Sequence, residues 1–259
     1  MTMQQATDFV EETRALARIV TPDILSIKTG FKGWSIEQII RHLHVWTTMV
    51  AYAQSDEARF VETLETLHPA FLKGRVWEAE ALFMPQTGAA LLSDWRDMAE
   101  EVGARWAGVD PKQRIPWVGT SMSARSAMTA RQMETWAHGQ AIYDALGLAR
   151  VDADRLKNIA VLGINTFDWT YQNRGLTPPD TRPTVILTAP SGAEWRFEGS
   201  DDVVRGSGTG FCQTVTQTRN VADTDIVTMG PVAAFWMGNA QCFAGPPHDP
   251  PAPGTRGPR

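Results

Sequence analysis

At 259 residues the chain suits one large domain or two smaller ones, and its net charge of −5 argues against nucleic acid as the main partner, because backbone binding needs a clustered basic surface. Hydrophobic residues make up 43% and charged residues 20%, ordinary for a soluble globular protein, and no apolar run reaches the ~18 residues that would cross a bilayer, so no membrane partner is expected. The first twenty residues carry early acids where a secretory leader has a basic region and an apolar core, which points to a cytoplasmic location. The two cysteines, Cys212 and Cys242, are too few for a disulfide framework and read as buried small hydrophobes.

Residues 5–19 place Phe9, Val10, Leu16 and Ala17 at helical spacing, and Pro22, Gly30 and Gly33 follow as breakers. Ser35 with Gln38 three residues on forms a capping-box pattern that opens a core helix reaching about Ala53, with Ile36, Ile39, Ile40, Leu43, Trp46 and Val50 on the 3.6 period. Helical, acidic sequence continues from Ser55 and is expected to stop at His68, before Pro69. Leu91, Leu92, Trp95, Met98 and Val102 mark another amphipathic helix over residues 88–106. A loop through Asp110-Pro111 and Pro116-Trp117 then crosses to a long helix that starts at Ser121 or Ser123 and stops at Gly147. One further helix is expected over residues 152–173.

At Pro178-Pro179 the character changes. Residues 184–188 and 194–197, joined by Ser191-Gly192, read as a β-hairpin, and 225–228 as a third strand, with helices over about 208–218 and 231–243. The expected organisation is a helical bundle over 1–177, a small α+β domain over 178–245, and a disordered Pro/Gly-rich tail over 246–259.

Within the long helix, Glu134 and His138 stand at i and i+4, where a carboxylate and an imidazole can close on one cation. Alanines at 127, 130, 137, 141 and 145 share their face, and such a stripe either lets neighbouring backbones approach closely or leaves a cavity over the two polar groups. Spacing alone equally allows a solvated ion pair on a strong helix former. A third ligand has to come from elsewhere among five histidines, of which His68 reads as a turn residue and His248 as part of the tail. His42 and His44 lie on opposite flanks of the apolar stripe of their helix, and periodicity does not choose between them.

The segment Gly33-Trp-Ser-Ile-Glu-Gln-Ile-Ile-Arg-His-Leu43 resembles the Gly-Trp-Thr…His-Leu stretch of the DinB-like superfamily, in the branch containing mycothiol-dependent maleylpyruvate isomerase. Met133-Glu-Thr-Trp-Ala-His-Gly-Gln140 is similar to the second metal-ligand helix of that branch. Phe211-Cys-Gln-Thr-Val-Thr-Gln-Thr-Arg219 and Ala240-Gln-Cys-Phe-Ala-Gly-Pro-Pro247 resemble a subgroup of uncharacterised metal-binding proteins. The resemblance implies a mainly α protein, a DinB-like four-helix bundle followed by a smaller α+β, sterol-carrier-like domain. It also implies a metal held by His42, Glu134 and His138. His44 departs from the branch's pattern and is a candidate either for a group that supports a ligand from behind or for an alternative ligand.

Three His/Glu/His ligands leave coordination positions open, as catalytic sites do. Zinc is the first expectation, with nickel or iron also compatible with N/O ligation. The resemblance implies a metal-dependent enzyme that activates a low-molecular-weight thiol, mycothiol, for isomerisation of, or S-transfer to, a small electrophilic substrate. Arg219 is then a candidate anion anchor, against the alternative of a surface arginine at a helix end. Two other classes stay open: a thiol-independent but metal-dependent hydrolase, lyase or cyclase acting on a specialised metabolite, in which His44 is a candidate general base, and a non-catalytic metal or small-ligand binding protein. The expected assembly is a monomer or homodimer.

Overall fold

The computed structural model describes residues 2–118 and 120–257 and divides into two compact units, Met1–Ala145 and Leu146–Arg259. In the first unit, α1 (Gln4–Ala17), α2 (Ile36–Ser55), α3 (Glu57–Leu72), α4 (Val76–Phe83) and α5 (Gly88–Trp106) are followed by a hairpin of β1 (Arg114–Trp117) and β2 (Thr120–Ser123) and by α6 (Ala124–Ala145). The four long helices make the bundle: α1 packs on α5 and α6, and α2 packs on the same two. Phe9, Val10, Val45, Met49, Val50, Val102, Trp106 and Met128 fill its core, each side chain of this size contributing about 1.5–3 kcal/mol on burial. The capping box at the start of α2 forms as the sequence predicts. Ser35 Oγ accepts from the Gln38 backbone N–H, and Gln38 Oε1 accepts from the Ser35 N–H.

Several elements differ from the sequence expectation. The helix expected to stop at His68 continues as α3 to Leu72 with Pro69 inside it; so near the C-terminal end, the missing N–H costs one bond rather than a whole ladder. The stretch Val76–Phe83, unassigned from sequence, is α4, too short to show a period. The stretch read as a loop around Pro116-Trp117 is the β1–β2 hairpin.

The second unit holds α7 (Lys157–Asn165), α8 (Phe167–Gln172), β3 (Pro183–Thr188), β4 (Glu194–Phe197), β5 (Ser200–Ser207), α9 (Gly208–Val215), β6 (Val227–Met229) and α10 (Pro231–Asn239). Its sheet runs β4-β3-β5-β6, with β3 and β5 parallel and the other pairs antiparallel. The β5 strand is absent from the sequence reading because Asp201, Asp202 and Gly206 depress its strand propensity. The single helix expected over 152–173 is broken at Thr166 into α7 and α8.

The division falls at Ala145/Leu146 rather than near residue 178, because α7 packs on α9 and α8 on α10, giving the second unit its own helical layer. Nor is the tail loose through residue 257. Asn220 Nδ2 donates to the Pro251 carbonyl, Gln217 Nε2 to the His248 carbonyl, and the Gly254 N–H to the Asp223 carboxylate. These polar anchors carry no hydrophobic pattern, so composition alone does not reveal them. Both cysteines are buried.

Candidate metal centre

Three side chains from two helices of the first unit converge. His42 comes from α2, Glu134 and His138 from α6, and their ligand atoms all lie within 4.8 Å of one another. His138 Nε2 is 3.1 Å and His42 Nε2 is 3.9 Å from Glu134 Oε2. Nitrogen and oxygen ligands bonded to one ion at about 2.0–2.2 Å lie roughly 3–4 Å apart, so the two measured separations suit a shared cation.

A fourth side chain sets the orientation of the first. Glu80 of α4 is 1% exposed, and its Oε1 sits 2.7 Å from His42 Nδ1 and accepts at 2.9 Å from Trp46 Nε1–H. A carboxylate at Nδ1 puts the His42 proton there and turns the Nε2 lone pair toward Glu134 and His138, the arrangement in which metal-bound histidines are commonly held. Arg41 fixes α4 in place. Its buried guanidinium donates to the Met84 and Gln86 carbonyls just beyond that helix, and to Glu37 on its own. Glu80 Oε2 is buried with no hydrogen-bond partner among the described residues. A buried, half-satisfied carboxylate behind an imidazole fits a nearby cation better than it fits an apolar core.

The entrance to α2 supplies an aromatic wall. Lys32 and Gly33 both have positive φ, 51° and 69°, a turn that glycine makes at little cost, and Thr29 closes it on the Trp34 carbonyl through both its N–H and its hydroxyl. The turn brings Phe31 edge-on to His138, with centroids 4.7 Å apart, and lays Trp34 against both His42 and His138.

Electrostatics favour ligand-ready protonation states at Glu134 and His138. Burial by itself would raise the Glu134 carboxyl, but His138, with Arg131 and His42, outweighs it and holds the group at about 2. Burial keeps His138 below its ordinary value despite Glu134, so the carboxylate is ionised and that imidazole neutral. His42 goes the other way: burial pulls it down, yet Glu80, with Glu134, wins and raises it.

Of the other residues singled out from sequence, His44 faces away from this cluster. Two positions from His42 on a helix is about 200°, and His44 is buried with its pKa lowered by burial, against the opposing charge of Asp94 on α5; its Nδ1 has no partner among the described residues. Arg219 lies in the second unit, 7% exposed rather than a surface residue, and donates to the Thr218 carbonyl.

Two contributors escape the sequence reading. Glu80 is an acid inside the apolar run Val-Trp-Glu-Ala-Glu-Ala-Leu-Phe, a signal that points to a buried partner. Arg131 stands at i−3 from Glu134 and i−7 from His138 and therefore shares their face, alongside the alanines.

A helical bundle carrying a His/Glu/His cluster that could hold a metal ion defines the class, a bundle of the DinB-like type. Residues 6–143 match the mycothiol maleylpyruvate isomerase N-terminal domain, and the chain belongs to that family. Uncharacterised proteins from two strains of Mycobacterium tuberculosis are each 39% identical over 240 residues, covering 92% of this chain and 93% of their own length. A crystal structure of the mycothiol-dependent maleylpyruvate isomerase shares the fold, with a TM-score of 0.51 at 15% identity, over 90% of this chain and 96% of that one. Among the described residues, no helix is long and apolar enough to cross a membrane.

Proposed function

We propose that the protein is a metal-dependent enzyme that activates a low-molecular-weight thiol, mycothiol, for isomerisation of, or its own S-transfer to, a small electrophilic substrate. The observation that carries the reading is the His42/Glu134/His138 cluster with Glu80 behind His42. His42, Glu134 and His138 would hold a divalent ion, zinc first and nickel or iron as alternatives, and it would supply the Lewis acidity that keeps a thiol ionised near neutral pH. The chain's own residues do the rest. Glu134 and His138 present a carboxylate and a neutral nitrogen from one helix face. Glu80 holds His42 in register, and Phe31, Trp34 and Trp46 limit water around it.

In the isomerisation, the thiolate sulfur bonds to one carbon of a conjugated double bond while the π pair moves to the conjugated carbonyl oxygen. Rotation about the resulting single bond and return of the pair expel the same thiolate, so no net oxidation occurs and no protein nucleophile is consumed. In the thiol-free, metal-dependent alternative His44 is a candidate general base, and its placement toward α5 gives that one role no support.

Metal analysis and a thiol-dependence assay test the proposal. Purified protein is expected to hold about one equivalent of divalent metal. Glu134→Ala is expected to lose it, and turnover of a maleylpyruvate-type substrate is expected only when metal and mycothiol are both present. Metal well below one equivalent in the wild type would favour a binding protein. Turnover unchanged without thiol would favour the hydrolase, lyase or cyclase class.

A further inference from the structure

Arg131 is a charged group that the metal cluster does not use. Its side chain belongs to a residue 7% exposed, its guanidinium carbon lies 5.3 Å from the Trp117 ring centroid, and it makes no hydrogen bond among the described residues, Nε being fully buried. Cation–π contact with Trp117 covers a face of the guanidinium but satisfies none of its five N–H donors. Burying Nε with no acceptor is costly, whereas the two terminal nitrogens are not among the buried unpartnered atoms and stay open to a partner that arrives from outside.

Position identifies that partner. Arg131 is on the α6 face that carries Glu134 and His138, one turn before the carboxylate, and its charge acts on both Glu134 and His42. Trp117, beneath it, packs on Trp46, the residue that donates to Glu80 behind His42. Before a thiol binds, a loaded centre would combine a divalent cation with the carboxylates of Glu134 and Glu80, which cancel. Arg131 then leaves one positive charge over, and it offers a planar fork of donors rather than a point charge. An oxyanion with two coplanar oxygens, a carboxylate, matches both.

Resting on the reading of His42, Glu134 and His138 as a metal centre, we infer that Arg131 is a substrate-binding residue that takes a carboxylate of the bound substrate through its guanidinium fork and sets it beside the metal. The assignment selects short electrophiles whose carboxylate lies only a few bonds from the reacting carbon, because arginine and metal ligands are one helical turn apart.

The test uses zinc-loaded full-length protein without thiol and follows tryptophan fluorescence, since Trp117 and Trp46 line the site. Maleate is titrated against its uncharged dimethyl ester in wild type, Arg131→Gln and Arg131→Lys, with metal content measured in each. Maleate affinity is expected to fall roughly tenfold to a hundredfold in Arg131→Gln and by a smaller factor in Arg131→Lys, which keeps the charge but not the fork. Ester binding and zinc content are expected to stay unchanged. Equal losses for maleate and ester, or maleate binding undiminished in Arg131→Lys, would overturn the assignment; the lysine variant decides the matter alone if the glutamine one does not fold. Because no thiol and no turnover enter, Arg131-dependent maleate binding can stand while thiol dependence fails. Loss of zinc from wild type would instead count against the metal centre itself.

Discussion

Glu80 shows how a site residue can act without touching substrate. It bonds His42 at Nδ1, and the Nε2 lone pair faces the cluster only while the imidazole proton stays on Nδ1 and donates to Glu80. Removing its charge while keeping its shape is therefore expected to weaken metal binding by about tenfold or more, within the range such outer partners command. Competition of Glu80→Gln against a chromophoric chelator measures this, and an unchanged affinity would reduce Glu80 to a packing role. The residues legible in advance were those with a periodic or motif context. Glu134 and His138 share a helix face, and His42 follows from the Trp…His-Leu pattern. Glu80 and Arg131 were not read from the sequence: Glu80 acts across 38 positions of chain, and Arg131 looks like any cation on a helix until Trp117 is seen beneath it.

At the scale of elements, strong signals held and weak ones gave way. The Ser35/Gln38 capping box and the apolar stripe of α2 place that helix closely, because local hydrogen bonding and burial agree there. Short elements such as α4, the β1–β2 hairpin and β5 depend on neighbours for their stability, and eight or fewer residues show too little period to declare themselves. The approach of α1 to α5 depends on Gly103, where a Cβ would meet Val10 Cγ2 well inside contact distance. Valine is stiff at χ1 and cannot swing clear. Gly103→Ala is thus expected to destabilise the fold by about 1–3 kcal/mol. The combination with Val10→Ala should cost less than the two single changes added together, as urea denaturation of the four proteins would measure. Strict additivity would mean that the helices separate without strain.

For the whole molecule, the two compact units divide the work unevenly. His42, Glu80, Glu134 and His138, together with the Arg41 contacts that brace α4, all belong to Met1–Ala145, and so do Phe31, Trp34, Trp117 and Arg131. The second unit has a four-stranded sheet, its own buried core around Phe211 and Trp236, and a Pro/Gly-rich end tied down by Gln217, Asn220 and Asp223. The composition shift near residue 178 marks where strands begin, not where one core ends, because α7 and α8 pack on α9 and α10. Sequence character follows secondary structure, whereas a domain boundary follows burial. If the metal centre is a property of the bundle alone, a chain ending at Leu148 should fold and bind close to one equivalent of zinc with nearly the affinity of the full protein. Circular dichroism and chelator competition on that fragment provide the check, with the Glu134→Ala version as the control that should bind none. A fragment that is helical but binds zinc a hundredfold more weakly would mean that residues beyond 148 help hold the ion, and the ligand set would have to be extended to the second unit.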